Sequence, residues 1–157
     1  MPELQTAVAN PGFIRPPRIY LLAVLVGLAL QRLWPLPLTG GVAVSVLGIL
    51  LMAAGLVAFV LTQRAFRSAG TPVPGNQAAT TVVRRGPMRF SRNPIYLAFS
   101  IIQLGLGLLL HSGWILIMLL PPVAVMQFIV IPREERYMEA KFGAEYLSYK
   151  ASVRRWI

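Results

Sequence analysis

The sequence contains no cysteine and no aspartate, and its only histidine is His111. Without thiols there are no disulfides, no thiolate nucleophile and no cysteine-held metal. A metal site would have to be built from glutamates alone, a poor donor set, so no metal centre is expected. Charge is scarce as well. Asp, Glu, Lys and Arg make up 13% of the chain, where a soluble domain carries about one quarter. The missing charges are missing from long segments: 56% of the 157 residues are hydrophobic and the mean hydropathy is +0.65. The length accommodates a single domain.

What charge there is has one dominant sign, with a net of +10. On a soluble chain this would point to nucleic acid. Here no basic run is interleaved with a soluble fold, and the excess is what retention of Lys and Arg in cytoplasmic loops produces, so no nucleic-acid partner is expected.

The apolar residues fall into four runs, which predict an all-α, polytopic membrane protein with four transmembrane helices. The first runs from about Ile19 to Leu38, after Arg18, with Arg32 placed to snorkel and Pro35 and Pro37 ending it. Val42–Leu61 is a clean run of about 20 uncharged residues, enough for a hydrocarbon core of roughly 30 Å. Pro94–Leu110 and Trp114–Ile131 are separated only by His111, Ser112 and Gly113, which forces a tight antiparallel hairpin. Pro121 and Pro122 remove backbone donors inside the last run and predict a kink there. The stretch Met1–Pro17 is polar and lacks a small-residue cleavage site after the first apolar run, so no removed signal peptide is expected. The small-residue spacings Ala23 with Gly27 and Gly48 with Met52 are ordinary and define no dimer motif.

Arginines and lysines alternate with these runs. Arg15 and Arg18 precede the first, six arginines lie between Gln63 and Asn93, and six basic residues from Arg133 to Arg155 follow the last. The connections Thr39–Gly41 and His111–Gly113 carry no Lys or Arg. This predicts a multi-pass integral membrane protein with both termini and the long middle loop in the cytoplasm, in the inner (plasma) membrane for a prokaryotic source. The last three runs hold no Asp, Glu, Lys or Arg. That argues against pumps, proton-coupled carriers and ion channels, which need ionisable or backbone-lined sites at membrane depth. Any chemistry belongs at the cytoplasmic ends.

Two polar concentrations lie there. Four of the five acidic residues (Glu134, Glu135, Glu139 and Glu145) sit in a C-terminal tail predicted to form a helix ending at Gly143 and a second short helix bearing Tyr146, Tyr149 and Val153. By itself that tail reads first as an amphipathic segment lying on a membrane with aromatic anchors. The middle loop opens with the turn-rich Gly70–Gly75, passes through the β-prone run Thr80-Thr81-Val82-Val83, and turns at Gly86-Pro87. Asn93 reads as a helix N-cap with Pro94 at the first helical position. Amides at that helix start, beside Arg92, are expected to be exposed and to favour an anion. The hairpin brings Asn93 and Glu134 out at one membrane surface, a pairing that suits a zwitterionic amino-acid head group.

At these residues the chain resembles the isoprenylcysteine carboxyl methyltransferase and phospholipid methyltransferase superfamily of integral membrane enzymes. The resemblance runs from about Gly70 to Ile157. It is carried in order by Gly86-Pro87-Met88-Arg89-Phe90-Ser91-Arg92-Asn93-Pro94-Ile95-Tyr96, by Glu134-Glu135, by Phe142-Gly143-Ala144-Glu145-Tyr146-Leu147-Ser148-Tyr149, and by Val153-Arg154-Arg155-Trp156. It implies a single membrane domain in which residues 19–69 form the first two spans and 70–157 a methyltransferase core binding S-adenosylmethionine. By the same analogy Thr80, Thr81, Val82 and Val83 lie along the cofactor, and Arg92, Asn93, Pro94 and Tyr96 occupy the family's Arg-His/Asn-Pro-x-Tyr motif. Glu134 matches the glutamate that contacts the cofactor, Glu135 supports it, and Tyr146 and Tyr149 close the pocket.

Two departures bear on the acceptor. Met88 stands where many members carry tyrosine. Near Val130, where prenylcysteine-specific members carry an arginine for the substrate carboxylate, this chain has Gln127-Phe128-Ile129-Val130-Ile131. The resemblance thus implies methyl transfer at the cytoplasmic membrane face to a lipophilic carboxylate, amine or thiol, with the bilayer as the acceptor's source. An activated sulfonium needs alignment and exclusion of water rather than a protein nucleophile. Glu134 and Tyr96 are the catalytic candidates; for an amine or neutral thiol they or Glu135 stand nearest as general base. The competing reading is a non-catalytic membrane scaffold, or a degenerate homologue that keeps the fold.

Overall fold

The computed structural model describes residues 15–73 and 77–157, and every regular element among them is helical. Expectations for the N-terminal segment before Arg15 and for Pro74-Gly75 fall outside the described residues. In chain order the helices are α1 (Pro16–Leu33), α2 (Gly41–Ser68), α3 (Pro94–Leu109), α4 (Gly113–Ile117), α5 (Leu120–Val125), α6 (Ile131–Phe142) and α7 (Ala144–Ser152). A 3-10 turn covers Gly86–Arg89, and a π-helical turn, Met126–Val130, joins α5 to α6. The β-prone run Thr80–Val83 makes no strand; it is loop with a bend at Thr81.

Three helical stretches are long and apolar enough to cross a membrane: α1, α2 and the stretch Gly113–Phe142. The fourth apolar run, α3, has 16 residues and rises about 24 Å, short of a hydrocarbon core of about 30 Å. Two boundaries also differ from expectation. Helix α1 stops at Leu33, and Trp34 takes φ −135° and ψ 86°, because the ring of Pro35 disfavours helical geometry in the residue before it. Helix α2 runs on to Ser68, past the apolar stretch, since Thr62–Arg67 contains no helix breaker before Gly70.

The chain divides into two compact units. One comprises Arg15–Phe59 and Ile95–Met126. Its helices meet through small residues. A methyl group added at Gly48 would lie 2.6 Å from both the Gly105 carbonyl oxygen and the Leu109 nitrogen, so the backbones of α2 and α3 touch where side chains would hold them apart. Gly27 lets α1 approach Ile115 in the same way. The expected hairpin is present: α3 ends, His111 takes a left-handed φ of 50°, and Ser112 caps α4 by accepting from the Ile115 amide at 3.3 Å. The Leu38 N–H donates to the His111 carbonyl and the Gly113 N–H to the Leu36 carbonyl, which fastens the α1–α2 connection to the hairpin turn. Beyond α4 the helix breaks at Met118-Leu119. Pro121 and Pro122 have no N–H to offer the carbonyls four residues earlier, the physical source of the expected kink.

The other unit comprises the described residues of Val60–Pro94 and Gln127–Ile157. It contains the last turns of α2, the middle loop, α6, α7 and an extended C-terminal segment. Gly143, at φ 50°, separates α6 from α7 as a left-handed helix stop.

Candidate active site

Within this second unit, four stretches of chain line one cleft. Phe66 comes from the last turns of α2. Thr81, Val82, Val83, Met88, Arg92 and Asn93 come from the middle loop, Glu134, Glu135 and Met138 from α6, and Tyr146 and Tyr149 from α7. The cleft's volume is about 50 Å³, room for a few waters or a small polar group. A second, open groove of about 430 Å³ shares the wall Thr81-Val82-Val83 and is bordered by Ala65, Arg84, Arg85 and Glu145.

The electrostatic centre of the cleft is Glu135, whose side chain is 7% exposed. Arg155 donates to it twice, Nε to Oε1 at 3.1 Å and Nη2 to Oε2 at 2.8 Å, the forked geometry in which guanidinium meets carboxylate most strongly. Lys150 stands 3.8 Å away and is itself paired with Glu139 at 2.5 Å. Arg92 Nη1 lies 3.1 Å from Glu135 Oε1, but in ion-pair contact only. Neither Nη1 nor Nε of Arg92 directs a hydrogen at an acceptor, although the side chain is only 9% exposed. A buried guanidinium with unused donors is costly unless something fills them.

Burial raises the Tyr146 hydroxyl to about 12, with the Glu135 charge adding to the effect. Tyr149 is pushed up as well, by burial first and by Tyr146 second. Both are therefore neutral donors at physiological pH. Tyr149 donates to the Met88 carbonyl at 2.8 Å, holding the 3-10 turn against α7.

The structure brings ten of the sequence-derived candidates to this cleft: Thr81, Val82, Val83, Met88, Arg92, Asn93, Glu134, Glu135, Tyr146 and Tyr149. Three others do not line it. Thr80 is exposed, and both its amide and its hydroxyl bond back to the loop at Thr71 and Gly70. Pro94 is buried at the first position of α3. Tyr96 belongs to the first unit, where its carbonyl accepts from Tyr20 and Ser100. Just before α3 the Arg92 N–H donates to the Arg154 carbonyl and the Asn93 N–H to the Ser91 hydroxyl. The Asn93 side-chain amide donates to the Arg155 carbonyl at 2.9 Å.

Sequence reasoning missed Phe66, Met138, Arg84 and Arg155. Met138 was within reach, since it follows Glu134 by one helical repeat and must share its face. Arg84 sits 6.0 Å over the Tyr149 ring and donates to the Glu145 carbonyl.

The sequence model of the family described as phospholipid methyltransferase matches residues 43–145. The chain belongs to that family of membrane methyltransferases. The match takes in α2, the middle loop, α3 and α6, and therefore most of the cleft. A curated protein of Haemophilus influenzae, itself described as uncharacterised, is 38% identical over 63 residues, which is 40% of this chain and all of the relative. No solved structure matches.

Proposed function

We propose that the protein is an S-adenosylmethionine-dependent methyltransferase that modifies a lipophilic acceptor at the cytoplasmic face of a membrane. The observation that carries the reading is the cleft of a methyltransferase-family chain in which a buried Arg92 with unused donors shares a wall with the half-buried carboxylate of Glu134. A cation and an anion so arranged suit the carboxylate and ammonium of an amino-acid head group. The cleft is small enough for that head group, and the adjoining groove along Thr81–Val83 offers volume on the scale of a nucleoside. S-adenosylmethionine, when bound, supplies a methyl group already activated on a sulfonium. Arg92 and Glu134 would hold its amino-acid end, and Tyr146, Tyr149 and Met88 would exclude water around it.

In this reading the four apolar runs cross the membrane, α3 as a short span, and both termini face the cytoplasm. The acceptor is a carboxylate, amine or thiol carried on an apolar body and reaches the site from the bilayer. An amine or a neutral thiol would have to lose a proton, and Glu134, on the cleft wall, is the candidate base. Calorimetry on detergent-solubilised protein tests the cofactor: S-adenosylhomocysteine binds the wild type, and Asn93→Ala and Glu134→Ala each weaken it. A folded wild type that binds neither S-adenosylmethionine nor S-adenosylhomocysteine overturns the reading. Labelled cofactor offered with lipophilic carboxylates, amines and thiols then sorts the acceptor class.

A further inference from the structure

Arg155 lies in the segment after α7, beyond residues 43–145 that the family's sequence model matches. That segment is registered against the loop before α3 by its own backbone. The Arg154 carbonyl accepts from the Arg92 amide at 3.0 Å, and the Arg155 carbonyl from the Asn93 side chain at 2.9 Å and the Ser91 hydroxyl at 3.4 Å. Trp156 adds an indole hydrogen bond to Gln127 at 2.7 Å. This register sets the Arg155 guanidinium opposite Glu135, where its fork occupies both carboxylate oxygens.

Arg92 competes for the same carboxylate. Its Nη1 and the Nε of Arg155 are both 3.1 Å from Glu135 Oε1, yet only Arg155 makes hydrogen bonds there. The Arg155 fork already takes both oxygens, so Arg92 has no room to close the same end-on fork on them. With Arg155 in place, Arg92 keeps the attraction of the negative charge but has donors to spare.

We propose that Arg155 is a positioning residue: by saturating Glu135 it keeps Arg92 from closing on that carboxylate and leaves it free for the carboxylate of a bound ligand. The inference rests on the methyltransferase reading above. Without Arg155, Arg92 swings into the fork with Glu135 and the anion subsite is lost while the rest of the cleft persists.

The test is a pair of ligands on purified full-length protein in detergent: S-adenosylhomocysteine, and its decarboxylated analogue that keeps the nucleoside, thioether and amine. Arg155→Ala should weaken S-adenosylhomocysteine by about tenfold to a hundredfold, the worth of a charge-assisted hydrogen bond, and the decarboxylated analogue by less than about threefold, since no carboxylate contact is lost. Retained binding of the analogue also reports a folded protein. Adding Glu135→Gln to Arg155→Ala removes the charge that captures Arg92 and should restore most of the lost affinity. Arg155→Lys, a point charge without a fork, should fall between wild type and Arg155→Ala. If Arg155→Ala weakens both ligands alike, or neither, or if the double variant stays weak, Arg155 is only a strut for the tail and the inference falls. A wild type that binds neither ligand overturns the methyltransferase reading itself, and this inference with it.

Discussion

Each of the two units is held together internally, and the means are opposite. In the unit of Arg15–Phe59 and Ile95–Met126, helices meet where side chains are absent, at Gly27, Gly48, Gly55 and Gly105. In the unit built from Val60–Pro94 and Gln127–Ile157, they meet through ions, with one buried carboxylate serving Arg92, Arg155 and Lys150. Apolar helices in lipid gain little from excluding water, so close van der Waals contact has to hold them. A polar site gains from charges only where each has a partner, which is why its geometry is dictated by pairing rather than by hydropathy. The difference teaches where each unit breaks.

Removing the shared carboxylate should have the largest effect. Glu135→Ala leaves two arginines and a lysine facing one another at a buried position, and losing one partner of a buried pair costs about 3–5 kcal/mol. Thermal unfolding of the detergent-solubilised protein should show the loss. A variant as stable as wild type would mean that the cations rearrange freely and that the ion cluster does not hold the unit.

A smaller effect is expected from the glycine contacts. In Gly48→Ala the new methyl is 2.6 Å from backbone atoms of α3, which no side-chain rotation can relieve. Overpacking of this kind costs about 1–3 kcal/mol. Val46→Ala, on a half-exposed position of the same helix, serves as the control and should change stability by less than about 0.5 kcal/mol. Equal unfolding temperatures for the two variants would remove the argument for backbone contact.

These two interfaces also differ in how far sequence alone exposed them. The apolar runs and the His111–Gly113 turn were legible because lipid demands uninterrupted hydropathy and a three-residue connection permits only a hairpin. Gly48 was visible but meaningless in isolation, since small-xxx-small spacing is common; its partner Gly105 is far along the chain. In the site, Asn93, Glu134, Tyr146 and Tyr149 stood out through a recognised order of motifs. Phe66 did not, because an aromatic residue ending an apolar helix carries no chemical signature. Arg155 lay within the closing Val153-Arg154-Arg155-Trp156 of that order, but its partner was not readable: it follows Glu135 by 20 residues, and only the chain reversal through Gly143 and the extended Val153 returns it to that carboxylate.

A pH titration sharpens the contrast from another side. The Tyr146 hydroxyl, raised in the folded protein to about 12 by burial, returns to about 10 on unfolding. The unfolded chain therefore ionises first. Stability tied to the neutral phenol is complete below pH 10 and declines as pH rises toward 12. Between those values the unfolding temperature of wild type should fall more steeply than that of Tyr146→Phe, and parallel slopes would mean that the ring is not buried against the Glu135 cluster. Tyr149→Phe should act in the same sense.

The smallest effect tests whether the C-terminal segment is fastened at more than one point. Trp156 and Gln127 are neutral partners at 2.7 Å, and such a bond contributes about 0.5–1.5 kcal/mol. Trp156→Phe keeps most of the ring and removes the donor; Gln127→Leu keeps the volume and removes the acceptor. Each alone leaves its partner unpaired, so the double variant should cost less than the sum of the singles, with a coupling of about 1 kcal/mol. Gln127 lies in the π-helical turn that leads into α6, the helix that carries Glu134 and Glu135. If the coupling is present, the tail grips that helix at both the turn and the carboxylate, and Arg155→Ala should leave the tail seated through Trp156. If it is zero, Arg155 and the backbone contacts at Ser91–Asn93 hold the segment alone, and the stability lost in Arg155→Ala should rise accordingly.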